Sequence, residues 1–104
     1  ATEGIFTDRR THKRLHLLNT HFDHVGAQAR TESAKLLLQR YKTAYTGDAF
    51  ILMGDFNAEE QSEPIQLFAS ELEGLSLVDS LFFDGPAGTF NAFAIQPSEE
   101  RRID

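Results

Sequence analysis

The chain has 104 residues, enough for one domain or part of one, and its 40% hydrophobic and 25% charged residues describe a globular class and exclude disorder. It has no cysteine, which removes disulfide frameworks and thiolate zinc sites. No apolar run approaches transmembrane length, and a net charge of −6 supplies no broad basic face for gripping nucleic acid.

Gly4-Ile5-Phe6-Thr7, the polar stretch Asp8 to His12, and Leu15 to Thr20 predict two strands joined by a turn, an antiparallel hairpin. In the second strand Leu15, Leu17, Asn19 and His21 share one face, while His16, Leu18, Thr20 and Phe22 share the other. From about Gly26 to Tyr45 the period changes to that of a helix. Ala34, Leu37, Leu38, Tyr41 and Tyr45 form its inward stripe, and Gly47 follows as a stop. Arg30 falls on the inward side one turn before Ala34, where it either finds an acidic or carbonyl partner or extends to solvent.

Ala49 to Met53 is an uncharged apolar run, read as a buried strand, and it ends abruptly in Gly54-Asp55-Phe56-Asn57. Two readings of that end stay open. If the strand continues, Asp55 and Asn57 project to one side as a carboxylate and carboxamide pair suited to proton transfer or metal binding. If it stops, Asp and Asn are the residues of an Asx-type turn. Ser62 and Pro64 then signal a helix start. Its expected buried face is Ile65, Phe68, Ala69 and Leu72, and its stop is Gly74. Leu75 to Val78 leads to Asp79, Phe82 to Gly88 is a loop, and Thr89 to Phe93 returns to a strand pattern. Asp79, Asp84, Glu59 and Glu60 are read as solvated loop charges. The order β-β-α-β-α-loop-β-β indicates an α/β or α+β architecture with helices on a sheet. The strands flanking the long helix are candidates for parallel neighbours.

His21 and Asp55 both fall at carboxyl ends of strands, where open α/β sheets bind ligands. Around His21 the cluster Asn19-Thr20-His21-Phe22-Asp23-His24 offers two imidazoles and a carboxylate. They can be metal ligands, or one His can serve a phosphoryl oxygen while its neighbours shape a loop.

Two families compete for these residues. Thr20-His21-Phe22-Asp23-His24-Val25-Gly26 is similar to the zinc motif of metallo-β-lactamase-like hydrolases, but Asn19 stands where the first His belongs and Gly54-Asp55-Phe56-Asn57 has no role there. The endonuclease/exonuclease/phosphatase superfamily accounts for more of the chain. Asn19 to His24, followed by Gly26 and Ala29-Arg30, resembles its central His motif. Gly54-Asp55-Phe56-Asn57-Ala58 resembles its most recognisable signature. Thr89-Phe90-Asn91-Ala92-Phe93 is similar to its Thr-Phe-x-Gly-Phe segment, with Ala92 in place of Gly, and Arg102-Ile103-Asp104 resembles its Arg-Ile-Asp motif.

That resemblance implies part of a four-layer α/β sandwich of the deoxyribonuclease-like type, with residues 1–104 as the middle-to-late portion of a catalytic domain. It implies metal-dependent phosphoester hydrolysis, with magnesium or else manganese. Asp55 would deprotonate the attacking water, Asn57 would hold Asp55 and a phosphate oxygen, His21 would contact the scissile phosphate, and Asp104 would orient a later His. Asp55 and Asn57 are also the candidate metal donors, the family's principal metal-binding Glu and its final Asp-His pair falling outside this stretch. The partner is a phosphorylated substrate, nucleic acid and phospholipid head groups included, with a further chain as a candidate cover for the sheet. The alternatives are the zinc hydrolase and a non-catalytic binding domain of the same fold.

Overall fold

The computed structural model describes residues 1–44, 47–70, 77–80, 89 and 101–104. Strand β1 (Thr2–Thr7) pairs antiparallel with β2 (Arg14–His21), and β2 pairs parallel with β3 (Ala49–Asp55) in a sheet ordered β1-β2-β3. The hairpin turn is closed by Asp8, whose carboxylate accepts the backbone N–H groups of Arg10 and Thr11. Helix α1 (Ala27–Ala44) carries the chain from β2 back to β3, and α2 (Glu63–Ala69) follows the end of β3. The expected hairpin and the expected parallel pair flanking a crossover helix are both present. The expected strand at Thr89 to Phe93 and the residues Leu72, Gly74 and Tyr45 lie outside the described residues, apart from Thr89 itself.

The alternation in β2 decides which face is core. His16, Leu18 and Thr20 are buried on one face, with Phe22 just past the strand end; Ala34 and Leu37 of α1 pack with Leu18 and Phe22, and Tyr41 packs against Phe50 of β3. Phe68 of α2 joins this core beside Phe22 and Phe56, with ring centroids 6.4 and 5.7 Å away. Two expectations for α2 are corrected. Phe68 is buried and Ile65 packs half-buried against the core as expected, but Pro64 is buried as well and Ala69 is exposed. Its last helical residue is Ala69, because Ser70 turns to extended backbone. Ser62 precedes the helix as expected, but its hydroxyl donates to the Glu59 carbonyl instead of capping α2.

The opposite face of the sheet is open. Register places Phe6, Leu15, Leu17, Ile51 and Met53 on it, and Phe6, Ile51 and Met53 are exposed. The Ala49 to Met53 run is therefore half-covered, not a fully buried strand as its composition suggests. Among the described residues the fold has two layers, one mixed sheet and one helical layer.

Gly54 lets β3 approach β2 at the sheet's carboxyl end. Its φ is +135°, and a Cβ built there would sit 1.9 Å from the Thr20 carbonyl oxygen. Neither the backbone angle nor the space admits a side chain. Gly54→Ala is expected to cost about 3 kcal/mol, from strain and overpacking together. That corresponds to a fall in thermal midpoint on the order of 10 °C. A midpoint unchanged from wild type in a thermal melt would contradict this account of the strand contact.

Candidate active site

Parallel pairing makes His21 and Asp55 register partners, the last pair of the β2–β3 ladder. Both side chains emerge on the open face at the sheet's carboxyl end. His21 Nε2 lies 3.6 Å from Asp55 Oδ2, too far for a hydrogen bond but close enough for attraction when the ring is protonated. The imidazole is 73% exposed and the carboxylate 35%, so the pair is accessible to a ligand.

Asn57 arrives by a different route from the one its spacing suggests. The strand stops at Asp55, and Asn57 takes a left-handed conformation with φ of +47°. Its N–H donates to Asp55 Oδ1 at 2.9 Å, the Asx turn anticipated as one of two readings. Its side-chain amide donates to the Phe22 carbonyl at 3.0 Å, and the Phe22 N–H donates to the Asp55 carbonyl at 2.9 Å. The first residue past the end of β2 is thus clasped between Asp55 and Asn57. The turn and the site are the same object. Non-glycine residues rarely adopt this conformation, and two hydrogen bonds hold Asn57 in it.

The loop after Phe22 is built on Asp23. Its carboxylate accepts the N–H groups of Val25 and Gly26 at 3.2 and 2.9 Å, and Arg30 donates to its carbonyl at 3.0 Å. Arg30 therefore finds the carbonyl partner that its inward position requires. His24 stands exposed on this loop, 3.8 Å from an Asp23 oxygen. Among the described residues no group of three or more His, Asp or Glu side chains is arranged to hold a metal ion, so His21, Asp23 and His24 do not converge as a zinc motif would require.

Asp104 is exposed, and residues 101–104 form no strand. The segment nevertheless reaches the site, because the Ile103 carbonyl accepts the Phe56 N–H at 2.8 Å. Two acids read as solvated charges turn out to anchor it. Glu59 meets Arg101 at 2.5 Å, and Asp79 binds Arg102 through both guanidinium nitrogens. Arg102 is held above its ordinary pKa, chiefly by the Asp79 hydrogen bonds. A groove of about 490 Å³ between the helices, lined by Arg30, Thr31, Lys35, Ser62 and Glu63 among others, lies away from the His21–Asp55 pair.

No protein-family model matches the sequence, and no curated protein matches it. Solved structures do. A crystal structure of an endonuclease/exonuclease/phosphatase family protein from Bacteroides thetaiotaomicron is 31% identical over 64% of this chain, with a TM-score of 0.58. The chain is similar to endonuclease/exonuclease/phosphatase proteins in both fold and sequence. A mannosyl-6-phosphatase from the same species matches 97% of the chain at 28% identity and a TM-score of 0.72. A conserved protein of unknown function from Enterococcus faecalis matches 62% at 32% identity, with a TM-score of 0.57. The chain spans 25%, 39% and 26% of the length of these three neighbours respectively.

The Asp23 loop has a pH dependence with a defined sign. The Val25 and Gly26 N–H groups, in that order, hold its carboxyl below its ordinary pKa. The stabilisation is complete above the unfolded value, roughly 3.9, and disappears as pH falls through the lower folded value. The Val25 and Gly26 amide resonances are expected to titrate together below that pH, and Asp23→Ala should abolish the transition. A midpoint above the ordinary aspartate value would show that these bonds do not stabilise the carboxylate.

Proposed function

We propose that the protein is a phosphoester hydrolase whose chemistry takes place at the carboxyl end of β2 and β3. The observation that carries the reading is the side-by-side placement of His21 and Asp55, 3.6 Å apart, on a strand pair locked by Asn57. Phosphoryl transfer needs mainly positioning and charge neutralisation, and this end of the sheet offers fixed groups for the first. One oxygen of Asp55 is spent on the Asn57 N–H, leaving the other to orient water and accept its proton. His21 Nε2 is free to donate to a phosphoryl oxygen as negative charge develops. Asn57 uses its amide nitrogen on Phe22, so its side-chain oxygen is what it offers a ligand.

The donor set fits magnesium, or manganese in its place, as a weakly held and mostly hydrated ion. Asp55 and Asn57 together supply two protein oxygens, and magnesium commonly keeps several waters and one or two carboxylates. When bound, it would neutralise charge on the phosphoryl oxygens. Asp104, tethered beside the turn by its neighbour Ile103, is proposed to orient a catalytic His from outside these residues.

The open face belongs to the same proposal. Phe6, Leu15, Leu17, Ile51 and Met53 make a sheet face whose apolar area suits a second sheet, which would complete a four-layer sandwich and shield the site from water. The mannosyl-6-phosphatase neighbour favours a phosphomonoester substrate. A diester in nucleic acid or a phospholipid head group is the competing class.

In a polypeptide whose open face is covered, Asp55→Ala is expected to lower magnesium-dependent turnover of p-nitrophenyl phosphate by about 100-fold or more. A matched assay with bis-p-nitrophenyl phosphate separates monoester from diester preference. Turnover unaffected by Asp55→Ala would overturn the proposal, and phosphate binding without turnover would favour a binding domain. The 104-residue polypeptide alone is expected to turn over little, because its exposed site leaves each charge screened by water. Full activity of that polypeptide, lost on Asp55→Ala, would show that the open face needs no cover.

A further inference from the structure

Asp79 and Arg102 lie far apart in sequence and outside the pair that the hydrolase reading uses, yet the segment they hold reaches the Asp55–Asn57 turn through the Ile103 carbonyl. Arg102 is only 15% exposed and Asp79 34%, and the guanidinium presents two nitrogens to the two carboxylate oxygens. Such a fork fixes direction as well as distance. On one side of Arg102, the Arg101 carbonyl accepts the Thr89 N–H at 2.9 Å. On the other, the Ile103 N–H donates to the Thr89 hydroxyl at 3.1 Å. The Ile103 carbonyl is then aimed at the Phe56 N–H, which belongs to the residue between Asp55 and Asn57.

That N–H has a particular need for this acceptor. It sits on a half-buried residue just past the end of β3, and β2 clasps the turn through the carbonyl of Asp55 and the side chain of Asn57. Without Ile103 the peptide between the two site residues is held from one side only. A half-buried donor is costly to leave unpaired, so the turn would shift to satisfy it. Asn57, already in a sparsely populated conformation, is the residue with the most freedom to lose its place.

We propose that the Asp79–Arg102 ion pair is a positioning pair for catalysis, setting the Asp55–Asn57 turn through the Ile103 carbonyl. It rests on the hydrolase reading for its consequence, and on geometry alone for its mechanical part. Neither residue touches substrate. The pair fixes the orientation of a carboxylate and a carboxamide that do.

The test reads the two parts separately. Amide hydrogen exchange is followed at Phe56 and at Leu18, a core residue of the central strand, in Arg102→Ala, Asp79→Ala, the double variant and Arg102→Lys. The expected result is Phe56 exchange faster by about tenfold in both alanine variants, with Leu18 unchanged. The double variant should be no worse than either single one, because the two residues act as a unit. Arg102→Lys keeps the charge but loses the fork, so it should fall between wild type and Arg102→Ala. Phe56 exchange equal to wild type, or rising only in step with Leu18, would overturn the proposal. If the alanine variants do not fold, the same Phe56-to-Leu18 comparison in Arg102→Lys decides.

Turnover is measured alongside in a polypeptide whose open face is covered, with Asp55→Ala as the reference. The expected loss in Arg102→Ala is on the order of 10-fold to 100-fold in kcat, with KM little changed and partial recovery in Arg102→Lys. If Asp55→Ala keeps full activity, the hydrolase reading fails while the exchange result still stands or falls by itself. If Asp55→Ala is inactive and Arg102→Ala keeps wild-type kcat, the catalytic role of the pair is refuted.

Discussion

The peptide of Phe22 is the constraint on which the site depends. Its N–H is given to the Asp55 carbonyl and its carbonyl takes the Asn57 side chain, so the first residue beyond β2 is stitched to the turn beyond β3. Its ring faces the other way, edge-on to Phe56 at 5.4 Å, within the aromatic group that also contains Phe68. One residue therefore joins the core under α1 and α2 to the polar end of the sheet. The arrangement also explains why the strands must be parallel and in this register. A shift of one residue would turn His21 or Asp55 towards the helices, where a charged group has no water.

The elements were legible where the physics is local. Alternation in β2 separates Leu18 and Thr20 from Leu17 and Asn19, and the 3.6-residue period of α1 places Ala34, Leu37 and Tyr41 inward. Both patterns report which side an element buries, and that was sufficient for the hairpin and the crossover. They do not report what covers the other side. Ile51 and Met53 are apolar and exposed, because composition expresses a preference for cover and does not supply it.

The positions of the candidate residues were legible in the sequence, and their geometry less so. His21 and Asp55 stand where strand ends put them. Asn57 occupies the expected place through a backbone turn, because its own N–H competes for the Asp55 carboxylate and ends the ladder. Asp79 and Glu59 are a different kind of miss. Their partners lie 23 and 42 positions away, and no local pattern distinguishes a loop acid that is solvated from one that closes a long-range ion pair. A bidentate, partly buried Arg pair is the kind of interaction that only the fold reveals.

The charge distribution bears on what such a site must recruit. The chain carries an excess of acid, Asp55 is bonded by the Asn57 N–H, and Arg30 already donates to a backbone carbonyl. On the proposed reading, a phosphate approaching this end would meet a carboxylate and an imidazole. These residues would then supply positioning, and compensation for the phosphate's charge would come largely from elsewhere. A hydrated divalent ion and a covering layer would address that deficit together. The ion would bring positive charge, and excluding water raises the strength of every interaction that charge makes. In the proposed hydrolase the exposed apolar face and the sparse ligand set would thus be two aspects of one requirement at the same end of the sheet.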